Sequence, residues 1–153
     1  MSGRPGPGSA TIGALQAALA AEHAAVYGYG VAGAYLSGSS RTTATADWVA
    51  HQVTRDTLEA MLRSRGAQPV PAAVGYQLPA PVRTPAEAAQ LAVILEDRVA
   101  AAYLGLVALT GAAIRRFGAE QLQAAALRAA AWRGSTVAFP GLPASLLAGP
   151  RHV

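Results

Sequence analysis

The sequence predicts an all-α protein, a four-helix bundle in which a long crossover joins two αα-hairpins. Three observations carry this prediction. Four segments have apolar residues at helical spacing, and each is long enough for a bundle helix. A single proline-rich stretch, residues 68–85, separates the second segment from the third. Similar residues recur at an offset of 74, as two related hairpins require.

The first hairpin consists of helices predicted over about Ala10–Leu36 and Thr43–Ser64. The residues between them begin with Ser37-Gly-Ser-Ser, which is typical of a loop. Arg63 lies in the last turn of the second helix and Gly66 follows it, a combination that favours a helix C-terminus.

The crossover, residues 68–85, contains five prolines, which exclude a regular helix. The segment is nevertheless too apolar for a disordered linker. Its large apolar side chains are therefore expected to pack on the helices: Val70, Val74, Tyr76, Leu78 and Val82.

The second hairpin begins at Thr84-Pro85-Ala-Glu87, which predicts a capping box with proline at the first helical position. The third helix continues to about Leu109, Thr110-Gly111 predicts a short turn, and a fourth helix continues to about Arg133.

The predicted domain covers residues 10–142, with a flexible N-terminal tail at 1–9 and a C-terminal tail at 143–153. A chain of 153 residues is long enough for one domain with its own core. Near the end of the domain, Phe139 and Leu142 are expected to pack on the bundle.

The internal repeat supports the arrangement of the helices. An offset of 74 relates Glu22 to Glu96 and Tyr29 to Tyr103, each pair on the first helix of its hairpin. Two short-looped helix pairs joined by one long crossover match the ferritin-like version of the four-helix bundle.

Glu22 and Glu96 are the residues that most need an explanation. Each lies on an otherwise apolar stripe of its helix, so both carboxylates are predicted to face the core. A buried carboxylate without a partner is costly or gives up its charge. The pair therefore requires a metal ion, an arginine or histidine, or protonation. His23 points about 100° away from Glu22 and is expected to be partly exposed or at an interface.

A ferritin-like di-metal site takes single inward glutamates from two helices and a Glu-x-x-His pair from each of the other two. Glu22 and Glu96 can supply the single glutamates, and His51 can supply one histidine. However, Trp48 stands three residues before His51, and Glu120 on the fourth helix has no histidine three residues later. The candidate metal site is therefore reduced to Glu22, His51 and Glu96, whose oxygen and nitrogen ligands suit iron or manganese.

The alternative for the same residues is an ion cluster without a metal. Arg55 follows His51 by four residues on the core stripe of the second helix, and a guanidinium can take the space and charge of a metal. In this interpretation Arg55 and His51, or Arg98, neutralise the glutamates, and Tyr29 or Tyr103 donates hydrogen bonds to them.

Four segments resemble the bacterial ferritin-like family of unknown function: Leu15-Gln-Ala-Ala-Leu-Ala-Ala-Glu22-His-Ala-Ala-Val-Tyr-Gly-Tyr29, Gly75-Tyr-Gln-Leu-Pro79, the run from Leu95-Glu96 to Ala-Ala-Tyr103, and Phe139-Pro-Gly141. The similarity covers about residues 10–142. It implies the ferritin-like four-helix fold and no established activity. The broader ferritin and rubrerythrin superfamily implies di-iron chemistry, whereas this sequence lacks both Glu-x-x-His motifs.

Composition argues against several other functional classes. The chain has no cysteine, which excludes thiol catalysis and zinc-thiolate sites. Its net charge is +4, but the arginines are scattered rather than arranged in a stripe, so nucleic acid is not expected as a partner. The N-terminus has no apolar signal segment, and no uncharged run reaches the roughly 20 residues of a membrane span. A cytoplasmic protein without a membrane partner is expected.

Two functions remain open, and the sequence does not decide whether the protein is an enzyme. The first is a non-catalytic binding or structural protein that has lost its di-metal site and needs no cofactor. It would act as a homodimer or with an unknown protein partner, through the crossover and the Gly/Tyr end of the first helix. The second is a metal-dependent oxidoreductase in which Glu22, His51 and Glu96 hold iron or manganese and an exogenous ligand completes the coordination.

Overall fold

The computed structural model describes residues 6–109 and 111–142, which contain four helices. They are α1 (Pro7–Ala34), α2 (Gly38–Arg63), α3 (Pro85–Val107) and α4 (Ala112–Arg133). No strand occurs in the described ranges. The prediction of an all-α four-helix bundle is therefore confirmed.

The direction of the helices follows from the side chains that meet in the core. Glu22 of α1 contacts Tyr103 of α3, whereas Tyr29, two turns later on α1, contacts Glu96, two turns earlier on α3. These crossed contacts make α1 and α3 antiparallel. Short connections then bring α2 back along α1 and α4 back along α3.

Two helices begin earlier than the sequence predicts. The predicted tail extends to residue 9, but α1 begins at Pro7, because a proline is compatible with the first helical position. α2 begins at Gly38 rather than Thr43. Gly38 has a φ of +55°, a value that glycine adopts without strain, so the chain turns within three residues. The remaining tail, residues 1–5, and the predicted C-terminal tail, residues 143–153, lie outside the described residues.

The predicted capping box opens α3. The Thr84 hydroxyl accepts from the Glu87 N–H at 3.2 Å, and the Glu87 carboxylate accepts from the Thr84 N–H at 3.0 Å. The same carboxylate accepts from the Arg83 N–H at 2.8 Å. The backbone donor of Arg83, followed by the contacts with Thr84, lowers the pKa of Glu87.

The crossover begins along one edge of α1. The Gln16 side chain accepts from the Val70 N–H at 2.8 Å and donates to the Gln68 carbonyl at 2.6 Å. His23 Nε2 lies 3.0 Å from the Val70 carbonyl, so this nitrogen is the donor. His23 is buried, and the expectation of a partly exposed histidine is wrong because the crossover covers it.

The apolar residues of the crossover differ in how far they pack. Val82 is buried, and Val70 and Leu78 lie partly buried against the core. Tyr76 packs on Tyr27 with ring centroids 5.4 Å apart. Val74 is fully exposed, so its predicted packing is wrong. The crossover changes direction there, between its contacts with α1 and its approach to α3.

The segment after α4 packs through a glycine. Gly141 has a φ of +81°, and a Cβ there would lie 3.0 Å from the backbone of Ala100 and 2.9 Å from Leu104. Phe139 and Leu142 remain 56% and 42% exposed, so the expectation that they pack on the bundle is wrong. A side chain at position 141 would prevent this close approach, because α3 lies directly beneath it.

Two apolar clusters form the core. One contains Leu15 and Leu19 with Leu58 and Leu62, and the other contains Tyr29 with Leu91 and Leu95. Buried polar residues lie between these clusters along α1, α2 and α3. Among the described residues, no helix combines the length and apolar character needed to span a membrane.

Candidate functional site

The structure brings Glu22, His51 and Glu96 together in the centre of the bundle. All three are buried, with at most 1% of any of them exposed. His51 Nδ1 lies 2.6 Å from a Glu22 oxygen, and His51 Nε2 lies 2.9 Å from Glu96 Oε1. The imidazole of α2 therefore joins a carboxylate of α1 to a carboxylate of α3.

Two tyrosines complete this arrangement. Tyr103 donates to Glu22 at 2.6 Å, and Tyr29 donates to Glu96 at 2.7 Å. Both rings are buried. Burial, followed by the charge of the neighbouring glutamate, raises the pKa of each phenol, so both remain protonated donors.

The arginine in the cluster is Arg128 of α4. Its Nε donates to Glu96 Oε1 at 2.9 Å, and its side chain is 20% exposed. The interpretation that placed Arg55 beside the glutamates is wrong, because Arg55 pairs with Asp56 at the surface. Arg98, the other candidate, is exposed.

Asp47 and Trp132 extend the cluster toward the surface. Trp132 Nε1 donates to Asp47 Oδ2 at 2.8 Å, and the Tyr29 hydroxyl lies 3.3 Å from the same oxygen. Burial, opposed by the Trp132 hydrogen bond and reinforced by the charge of Glu96, raises the pKa of Asp47. Sequence reasoning missed this residue, although Asp47 precedes His51 by four residues and so shares its helix face.

The central imidazole is a cation at neutral pH. Burial alone would lower the pKa of His51, but its hydrogen bonds to Glu22 and Glu96, together with their charges, raise it to about 9. Burial would likewise raise the pKa of Glu96, but His51 and then Arg128 lower it. Glu96 is therefore a carboxylate held between two cations.

The oxygens of Glu96 are used unequally. Glu96 Oε1 accepts from Tyr29, His51 and Arg128, whereas Oε2 is buried and has no hydrogen-bond partner in the part of the chain that the structure describes. Glu22, by contrast, uses one oxygen for Tyr103 and the other for His51. A buried acceptor without a donor is costly, so Oε2 of Glu96 is a weak point of the cluster.

These side chains do not fit a ferritin-type di-metal centre as they are arranged. Metal ligation needs a free ring nitrogen, but both nitrogens of His51 point at carboxylates. Trp48, at the position of the missing glutamate, donates to the Val26 carbonyl at 3.1 Å, and Glu120 is exposed. Within residues 6–109 and 111–142, no three or more His, Asp or Glu side chains are grouped so that they could hold a metal ion.

Comparison with known proteins finds similarity to one family of domains and to solved structures. The family described as "Domain of unknown function (DUF4439)" matches residues 14–144. The chain is also similar to the crystal structure of a conserved hypothetical protein, rv2844, from Mycobacterium tuberculosis. The two share 37% identity with a TM-score of 0.80, over 82% of this chain and 96% of that one. None of the curated proteins compared with this chain matches it.

Proposed function

The chain belongs to the family of domains of unknown function DUF4439, and from this starting point we propose that it is a non-catalytic, ferritin-like binding or structural protein. In this proposal the di-metal site has been lost. An ion cluster of Glu22, Glu96, His51 and Arg128 stands in its place and joins the four helices.

The position of His51 is the observation that carries the proposal. The imidazolium donates to Glu22 at 2.6 Å and to Glu96 at 2.9 Å, so it supplies positive charge to both carboxylates at once. A guanidinium adds a second cation at Glu96. Charge-assisted hydrogen bonds of this kind satisfy buried carboxylates without a metal ion.

Support for a ferritin-like relationship comes from topology. Two antiparallel hairpins joined by a long crossover are the arrangement of that bundle class. The inward glutamates occupy equivalent positions on α1 and α3, the first helix of each hairpin. The repeat offset of 74 relates them.

A homodimer is part of the proposal, with α1 and the adjoining crossover as the contact surface. Added Cβ atoms at Gly30 and Gly33 would meet nothing within 4 Å, so this side of α1 is open to a second chain. Tyr27 and Tyr35 nearby are 39% and 42% exposed. The expected setting is the cytoplasm, with a protein rather than a nucleic acid or a membrane as partner.

Metal content is the test of the proposal. The protein is expressed with added iron and manganese, purified without chelator, and measured by elemental analysis against protein concentration. The matched control is Glu22→Gln with Glu96→Gln, which keeps side-chain shape and removes both charges. We expect substoichiometric metal in both proteins and a lower stability in the variant, because the imidazolium and guanidinium lose their anions.

The alternative is a metal-dependent oxidoreductase in which Glu22, His51 and Glu96 hold iron or manganese. The convergence of these residues and the unpartnered Oε2 of Glu96 favour it. Near-stoichiometric metal in the natural protein that disappears in the double glutamine variant would establish this alternative. Oxygen and peroxide consumption would then be the next assays.

A further inference from the structure

An approximate twofold symmetry relates the two hairpins, but the buried cluster departs from it at one position. The offset of 74 that relates Glu22 to Glu96 also relates the first residues of α2 and α4, Gly38 and Ala112. Applied to His51, the same offset gives Ala125, which is fully buried and carries no polar side-chain atom. The imidazole of one half therefore has no counterpart in the other.

Arg128 supplies the missing positive charge from a neighbouring turn. It follows Ala125 by three residues on α4, so the two positions lie on the same side of that helix. By the same offset Arg128 corresponds to Thr54, which pairs weakly with Gln121 at 3.4 Å. The cluster thus has an imidazolium in one half and a guanidinium in the other.

The surroundings of Arg128 have the features of a cation-binding site. Glu96 lies directly against its Nε, and the second oxygen of Glu96 is buried and without a partner among the described residues. The carboxylate of Asp47 is linked to Glu96 through the Tyr29 hydroxyl, which lies 2.7 Å from Glu96 Oε1 and 3.3 Å from Asp47 Oδ2. The side chain is 20% exposed, so the position is accessible from solvent if the side chain is shortened.

We propose that Arg128 is a tethered ligand, a guanidinium of the chain itself that occupies a cation site whose anion is Glu96. This inference rests on the proposed function, because it treats the cluster as complete without a metal. It assigns the site a ligand class, a small planar guanidinium-type cation, and it makes Arg128 the residue that closes the site to free cations.

Chemical rescue tests the assignment. Arg128→Ala removes the guanidinium and opens the site, and ethylguanidinium is added at millimolar concentration. We expect a saturable rise in the melting temperature of the variant and a saturable change in Trp132 fluorescence, because Trp132 bonds to Asp47. Half-saturation is expected on the order of millimolar, as for other very small ligands. The unmodified protein should show neither effect.

Three controls separate a specific site from a general effect. Ethylurea has nearly the same shape without charge and should not rescue. Arg133→Ala removes an arginine of similar exposure, but its partner Asp97 is 47% exposed, so added guanidinium should have no effect on that variant. Adding Glu96→Gln to Arg128→Ala should abolish the rescue, because it removes the carboxylate charge that contacts the guanidinium.

The outcomes distinguish this inference from the proposed function. If Mn²⁺ stabilises Arg128→Ala and ethylguanidinium does not, the site prefers a metal ion and the assigned ligand class is wrong. The proposed function still stands in that case if the natural protein contains no metal. If neither cation has an effect, Arg128 is not a tethered ligand. Should Arg128→Ala fail to fold, the yield of folded protein after refolding with ethylguanidinium or ethylurea provides the readout. Equal yields with the two compounds contradict the inference.

Discussion

Tyr29 and Tyr103 exchange partners across the bundle: each donates its hydroxyl proton to the glutamate seven residues before the other. Tyr29 bonds to Glu96 at 2.7 Å, and Tyr103 bonds to Glu22 at 2.6 Å. The exchange fixes the register of α1 against α3, since a shift of one turn would break both bonds. His51 lies between the two carboxylates and connects the two halves.

The two tyrosines are expected to contribute unequally to stability. In Tyr103→Phe, one oxygen of Glu22 loses its only donor among residues 6–109 and 111–142, which costs about 1.5–3 kcal/mol. In Tyr29→Phe, Glu96 Oε1 keeps His51 and Arg128, so the loss should be about 0.5–1.5 kcal/mol. Urea unfolding measures both free energies.

Tyr27→Phe is the control for this comparison, because Tyr27 is 39% exposed and packs on Tyr76 outside the cluster. Its free energy of unfolding should change by less than about 0.5 kcal/mol. Equal losses in Tyr29→Phe and Tyr103→Phe would show that the count of remaining donors does not determine the cost.

Stability should fall in mildly alkaline solution because of His51. The pKa of His51 is about 9 in the folded protein, above its ordinary value of 6.5. The stabilisation is therefore complete below about pH 6.5 and is lost as the pH rises toward 9. A shift of this size corresponds to at most about 3 kcal/mol.

His51→Gln identifies the source of this pH dependence. The amide keeps a donor in the cluster but does not titrate, so the variant should be less stable near pH 6 and should change less between pH 6.5 and 9. Urea unfolding at several pH values gives both curves. Parallel curves for the two proteins would assign the alkaline loss to other groups.

At pH 7, Asp47→Asn should either leave the free energy of unfolding nearly unchanged or raise it. The change in either case should be no more than about 1 kcal/mol. The pKa of Asp47 is raised mainly by burial, so its charged form is disfavoured in the folded state. The amide oxygen of asparagine can still accept from Trp132. Because the carboxyl is protonated in acid, the difference between variant and unmodified protein should shrink toward pH 4. A large loss at pH 7 would mean that the aspartate charge is needed beside Arg128.

The helices and the central residues could be predicted from the sequence, because periodic apolar residues, the Thr84–Glu87 capping box and the prolines are local signals. Glu22 and Glu96 were identifiable because a carboxylate interrupts an apolar stripe. Arg128 could not be identified in the same way. It lies three residues after the buried Ala125, but an arginine at such a position can extend its long apolar stem either into the core or toward solvent.

The error over Arg55 has a related cause. A helical stripe gives the direction of a side chain only to within the roughly 100° that separates successive residues. A long side chain can then turn toward the core or toward the surface. The nearest acid, Asp56, pairs with Arg55 in the surface layer. Tertiary pairing between α3 and α4, which no local pattern encodes, decides that Arg128 reaches Glu96.

Glycines of the bundle should respond in opposite directions to alanine. A Cβ at Gly118 would lie 2.7 Å from the Leu106 Cβ and 3.2 Å from the Val107 nitrogen, and neither atom can move without displacing α3. Gly118→Ala should therefore destabilise the protein by about 1–3 kcal/mol, despite the helix preference for alanine. Gly30→Ala meets nothing within 4 Å and should stabilise α1 by about 0.5–1 kcal/mol.

Protein concentration adds a second readout to Gly30→Ala. In the proposed homodimer Gly30 lies at the contact between two copies of α1, so a methyl group there should weaken association while it stabilises the separate chain. Sedimentation over a range of concentrations, combined with urea unfolding, measures the two effects independently. A variant that is more stable and dimerises as the unmodified protein does would remove this surface of α1 from the interface. Gly118→Ala should lower stability at every concentration, because its clash lies within one chain.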